Sequence, residues 1–208
     1  MLKTFGPLEE ASKTPCYYID IGCGYAEVFF DIASKNPDKF CIAVEKCPWL
    51  FPILVREAKK RKLDNALIIG GAIEGFWNYL PKHSIREAAV LFPDPWWKRK
   101  HYKFRFFSHD FVWHLQDKVK MGGIVNVTSD VWFWQLYMMR QVESEKYFEN
   151  IKGFFEFTPW EYEVNTKRGN KVLNDGLPFW TARYKRNDEI FDKDYKPFYY
   201  LEDTKQRD

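Results

Sequence analysis

Short apolar runs recur along the first two thirds of the chain, separated by longer stretches with helical spacing. Residues 16–21 form the first run, which closes around Asp20. Residues 26–35 then read as a helix, stopped by Asn36-Pro37. A second run at 40–44 ends at Glu45, and 48–62 reads as a helix with Pro48 near its start and cations at its end. The third run, 66–69, stops at Gly70-Gly71, with a short helix expected at 73–80. A fourth strand is expected at 88–92 and a fifth at 123–128, with helices at 108–118 and 131–143. Ser108 is placed to cap the first of these helices, with Asp110 in its opening turn.

Strands alternating with helices predict an α/β fold, a mostly parallel sheet covered on both faces. Ligands bind such sheets at the carboxyl ends of their strands. Gly22, Glu45, Gly71, Asp94 and Asp130 all fall at those ends. The last third is less regular. Residues 154–164 and 180–184 read as an antiparallel strand pair at one sheet edge, around a loop at 165–178.

Composition narrows the classes. A chain of 208 residues suits a single domain over 1–208, with a short N-terminal segment at 1–15 and a charged tail at 187–208. Hydrophobic residues at 46% make it globular; aromatic residues at 19% exceed what core filling alone needs. A net charge of +3 does not argue for nucleic acid, because local clustering matters more than the sum. No apolar run reaches the ~18 residues of a membrane span, and the start lacks the apolar core of a signal peptide. Cys16, Cys23, Cys41 and Cys47 show no zinc spacing with any histidine. They read as reduced, mostly buried cysteines of a cytoplasmic protein, with no metal expected.

Two motifs carry chemistry. In Asp20-Ile21-Gly22-Cys23-Gly24-Tyr25-Ala26-Glu27 the glycines permit a tight turn and close approach of a ligand to the backbone. Glu45, ending the next strand, can accept hydrogen bonds from ribose hydroxyls. Glu27 stands where a dinucleotide fingerprint has its third glycine. A carboxylate there repels a pyrophosphate but tolerates the cationic S-adenosylmethionine, which is favoured over NAD. The second motif is Leu91-Phe92-Pro93-Asp94-Pro95-Trp96-Trp97-Lys98-Arg99-Lys100-His101. Its prolines hold Asp94 on a rigid extended turn. Lys98, Arg99, Lys100, His101, Lys103 and Arg105 place positive charge beside it. A fixed acid, stacking surfaces and cations together suit a nucleobase on a phosphate backbone.

From about residue 17 to 186 the chain resembles the tRNA (guanine-N7)-methyltransferase family. The Asp-Ile-Gly-Cys-Gly turn, Glu45, Gly71-Ala72-Ile73-Glu74, the Pro93-Asp94-Pro95 segment and Thr166-Lys167 stand in that family's order. The resemblance implies a class I S-adenosylmethionine-dependent methyltransferase fold, with a seven-stranded sheet, and methyl transfer to N7 of a guanosine in the tRNA variable loop. It implies a cofactor pocket lined by Gly22, Glu45, Ala72 and Leu91, to which Asp20, Gly24 and Gly71 are added by their places at the turns. Asp94 would stand at the reacting centre as the catalytic residue. Lys98, Asp130 and Thr166, with Arg168 beside them, would hold the tRNA. The chain departs from the family at Gly71, where Asp or Asn is usual, and at Thr166-Lys167-Arg168-Gly169, where an acid usually follows the threonine.

Two rival readings remain open at this level: a class I methyltransferase acting on a small molecule or protein, and a catalytically silent RNA-binding subunit. The irregular last third offers surface for a protein partner or a second copy in a homodimer, with no amphipathic stripe long enough to argue for either.

Overall fold

A computed structural model of the chain describes residues 2–96, 100 and 105–190. The alternation read from the sequence becomes one eight-stranded sheet. Its strands are β1 (Lys3–Phe5), β2 (Tyr18–Ile21), β3 (Cys41–Glu45), β4 (Ala66–Gly70), β5 (Ile85–Leu91), β6 (Val119–Ser129), β7 (Phe148–Asn150) and β8 (Trp180–Arg186). Their spatial order is β1-β4-β3-β2-β5-β6-β8-β7. β4, β3, β2, β5 and β6 run parallel, while β1, β8 and β7 pair antiparallel at the two edges. The chain winds outward from β2 to β4 and then returns to lay β5 against β2. In α/β sheets a reversal of this kind is where a crevice forms, here above the carboxyl ends of β2 and β5.

The period of two along the strands explains the two cores. Tyr18, Cys41, Ala43, Ile68 and Ala89 face one way, against helices α1 (Glu27–Lys35) and α2 (Phe51–Arg61). Ile19, Ile42, Leu67, Ala88 and Val125 face the other, among residues of α3 (His109–Lys118) and α4 (Trp132–Glu143). Ser108 caps α3 as expected, its Oγ accepting from the Phe111 amide at 3.4 Å. Residues 73–80 form two 3-10 turns, Ile73–Gly75 and Trp77–Tyr79, in place of the expected helix. Three of the four cysteines are buried, Cys47 is half-buried, and all are thiols. Among the described residues no helix is long and apolar enough to cross a membrane.

The last third departs most from the sequence reading. Residues 154–164 form no strand, only a single bridge from Thr158 to Thr181. β7 pairs with β8 only along Tyr184–Arg186, and beside the rest of β8 the segment 154–164 bridges at Thr158 alone. Instead Trp160, Tyr162 and Val164 pack over the sheet face that carries α1. Tyr162 donates to Glu87 at 3.0 Å, and Asn126 donates to both at 2.7 and 2.8 Å. The expected loop at 165–178 holds a helix, α5 (Lys167–Asn174). β1 and β7 were not foreseen; each is only three residues long.

Candidate functional site

β2 ends at Ile21, and the chain turns sharply because the Gly22 and Cys23 amides both donate to the Val44 carbonyl, at 2.8 and 3.1 Å. Gly22 and Gly24 adopt φ of +74° and +58°, a region L side chains rarely enter. A Cβ on either would meet nothing within 4 Å, so the turn needs glycine for its backbone and leaves free space beside it. Ala26 follows at φ 59°, left-handed, immediately before α1.

Glu45 is no solvated strand end. It is 8% exposed; its Oε2 accepts from the Gly24 amide at 2.8 Å and its Oε1 from the Cys47 amide at 2.7 Å. One side chain thus fastens the glycine turn and the loop after β3. Each oxygen keeps a second lone pair for a ligand hydroxyl. Below it lies Asp20, 2% exposed, with Oδ1 lacking any hydrogen-bond partner. Burial first, then the charges of Glu45 and Glu27, push the Asp20 carboxyl up to about 8. Among the described residues none of these three acids forms an ion pair. A buried carboxylate oxygen without a partner, in an acidic cluster without a cation, fits a positively charged ligand. The donor set therefore fits the ammonium and sulfonium charges of S-adenosylmethionine.

At the end of β4, the Gly71 amide donates to the Glu45 carbonyl at 2.9 Å. Ala72 is extended and exposed. A Cβ on Gly71 would lie 2.4 Å from Leu2 Cδ2. The side chain usual in the family would have to push the end of Leu2 aside, because the residue preceding β1 fills its place.

Beyond β5, Leu91 is 8% exposed and the Phe92 amide donates to the Thr128 carbonyl at 2.8 Å. Phe92 and Trp96 both have positive φ, 53° and 44°, bracketing Pro93-Asp94-Pro95. Left-handed backbone at such bulky residues costs about 1–2 kcal/mol each, and strain of this kind gathers at functional sites. Asp94 is exposed at the apex. Arg105 has a different role from the phosphate-facing cation expected: its Nε donates to the Pro95 carbonyl at 3.1 Å and its Nη2 to that of Trp96 at 3.2 Å. It clamps the corner that carries Asp94. Lys100 is exposed; Lys98, Arg99, His101 and Lys103 lie outside the described residues.

Asp130, Thr166 and Arg168 are brought together. The Arg168 guanidinium donates to Asp130 Oδ2, from Nε at 3.1 Å and from Nη2 at 2.5 Å. Asp130 caps no helix; Val131 is the N-cap of α4, and its amide donates to Ser129 Oγ. Thr166 does cap one: its Oγ1 accepts from the Gly169 amide at 2.9 Å, opening α5. Its hydroxyl proton and one lone pair remain for a ligand. A Cβ on Gly169 would stand 3.3 Å from Phe92 Cζ, so α5 packs closely on the strained corner. The sequence reading named Arg105 only as one cation of the basic run, and it passed over α5 itself. The Thr-x-x-Gly spacing, a capping hydroxyl three residues before the amide it accepts, was the signal available.

Gly22, Glu45, Gly71, Asp94 and Asp130 therefore share one rim of the sheet, spread over the ends of β2 to β6. The family model described as "Putative methyltransferase" matches residues 14–182. A tRNA (guanine-N(7)-)-methyltransferase of Saccharophagus degradans is 28% identical over 186 residues, which are 87% of this chain and 80% of that protein. Another, from Prochlorococcus marinus (strain MIT 9215), is 29% identical over 182 residues, 81% of this chain and 84% of the relative. Both carry the name of the family that the motifs resemble. Among solved structures, the aminoglycoside resistance methyltransferase NpmB1 aligns with a TM-score of 0.59 at 16% identity, covering 89% of this chain and 100% of that one. A 16S rRNA (adenine(1408)-N(1))-methyltransferase from Catenulisporales acidiphilia, solved with its cosubstrate SAM, aligns with a TM-score of 0.56 at 14% identity, over 91% of each chain. At such identities the structures speak for the fold alone. With the family match spanning most of the chain, the chain belongs to this family of methyltransferases.

Proposed function

We propose that the protein transfers a methyl group from S-adenosylmethionine to N7 of a guanosine in the variable loop of tRNA. The observation that carries this reading is the unpaired acid cluster of Asp20, Glu27 and Glu45 on the same rim as the proline-locked Asp94. The names of the relatives supply the substrate class. The donor, when bound, supplies an electrophilic methyl group on a cationic sulfur.

Glu45 offers its remaining lone pairs to the ribose, and Asp20 its unpaired oxygen to positive charge. The backbone of Gly22, Gly24, Gly71 and Ala72, with Leu91, shapes the cofactor wall. Guanine N7 carries a lone pair and no proton, so no base has to create the nucleophile. The chain's task is alignment of the reacting atoms. The purine becomes cationic as N7 is methylated, and Asp94 stabilises the charge as it develops. Asp130, Thr166 and Arg168 hold the RNA across the crevice. Lys98 keeps that role on the sequence alone.

Incubation with labelled S-adenosylmethionine and total tRNA, then digestion to nucleosides, should place the label in 7-methylguanosine. Label in another nucleoside, or in none, would sink the proposal. Asp94→Ala should lower turnover about 10²–10³-fold while calorimetric cofactor binding persists; normal turnover would remove Asp94 from the reaction. A silent RNA-binding subunit would bind tRNA but not the donor, which the same calorimetry separates.

A further inference from the structure

Trp49 is 57% exposed, although the largest buried side chains of the molecule are also tryptophans, Trp77 and Trp134. It sits in the loop after β3, four residues beyond Glu45. Its ring meets Tyr25 edge to face, with centroids 6.2 Å apart and planes at 67°. Tyr25 directly follows Gly24 of the glycine turn. Over the Tyr25 ring, 3.9 Å from its centroid, stands the Nζ of Lys167, the first residue of α5. Lys46 reaches toward the other side of the crevice, with its Nζ 5.9 Å from the Trp96 ring. Segments distant in sequence thus bring two aromatic rings and a cation to one place on the rim.

Burial does not account for this arrangement, because Trp49 remains largely in water. Charge narrows what can lie there. Asp20, Glu27 and Glu45 beneath the turn repel phosphate, whereas Lys46 and Lys167 are both exposed above it. A polyanion is therefore admitted at the level of the lysines, with a flat neutral group toward the rings. An unpaired nucleotide has that shape: a π face for the exposed Trp49 ring, which Tyr25 braces edge-on, and a phosphate for the ammonium that rests on Tyr25.

We propose that Trp49 and Tyr25, with Lys167, form a stacking platform for an unpaired nucleotide of the RNA substrate adjacent to the target guanosine. This rests on the reading of the protein as a tRNA methyltransferase. The Trp49 ring is exposed, so the full-length Trp49→Ala variant should fold, which its melting curve checks. With tRNA as substrate it should raise KM about tenfold, with kcat and calorimetric S-adenosylmethionine affinity close to those of the parent. Trp49→Phe, which keeps a ring, should recover most of the loss. An unchanged KM in Trp49→Ala overturns the platform. So does a loss of donor affinity with tRNA binding intact in filter assays without donor, since the rings then serve the cofactor. Should the parent protein methylate no tRNA, the functional reading fails by itself, and filter binding of tRNA to parent and variant still decides the platform.

Discussion

At the scale of single residues, Asp20 makes the sharpest prediction. In the unfolded chain its carboxyl ionises near 3.8, whereas in the fold it does so near about 8. Between those values the folded state holds a proton that the unfolded state has released. Stability is therefore greatest below the lower value and falls as pH rises through that window. Asp20→Asn should melt several degrees above the parent at pH 8, with the difference closing toward pH 4. A cationic ligand beside Asp20 favours the ionised carboxylate, with Glu45 and Glu27 already facing it. Donor affinity should accordingly rise with pH up to about 8 and then level off, with protons released on binding; calorimetry in buffers of different ionisation enthalpy checks this. A flat affinity profile would place the donor's charge elsewhere. Asp20, Gly22, Gly24, Glu45 and Asp94 were legible in the sequence because each has a backbone reason at a strand end. The Arg105 clamp was not: a cation in a basic run looks the same whether it meets phosphate or a carbonyl.

At the scale of elements, β1 explains a departure that the sequence alone left without a cause. Gly71 stands where the family usually has a longer side chain, and Leu2 fills the space in front of it. Gly71→Asp has to displace only the flexible end of Leu2, so it should lower stability by about 1 kcal/mol, the low end of overpacking costs, and Leu2→Ala in the same chain should recover part of it. Denaturant unfolding measures both; additive losses would show that the two residues do not meet. α5 and the segment at 158–165 mark where pattern reading failed. Alternating aromatics at 154–164 have the period of a strand, but only Thr158 bridges to β8, and Trp160, Tyr162 and Val164 are drawn onto the sheet face that carries α1. Edge choice is a property of the assembled sheet, not of the local pattern. α5 is eight residues long with Lys167 and Arg168 in its first turn, against the helix dipole, so propensity gave little sign of it.

Across the whole molecule, the two rims of the sheet do different work. The carboxyl rim carries the acids and the strained corner. The opposite rim carries Arg186, fully buried at the end of β8. Its guanidinium donates to the carbonyls of Tyr147 at 3.4 Å, Asn187 at 2.9 Å and Glu189 at 2.9 Å, and lies 4.7 Å from the Tyr147 ring centroid. Arg186→Ala should cost on the order of 1–3 kcal/mol for the charged hydrogen bond lost at the buried Tyr147 carbonyl, while kcat/KM of the folded fraction stays near that of the parent. A loss of activity without a loss of stability would mean that the two rims communicate.

The grip of Glu45 on both neighbouring amides has a thermodynamic consequence. A free glutamate side chain surrenders its rotamers when it captures a ligand, and association bears that loss. Here the carboxylate is immobilised as the chain folds, so an arriving hydroxyl meets an acceptor already aimed and still.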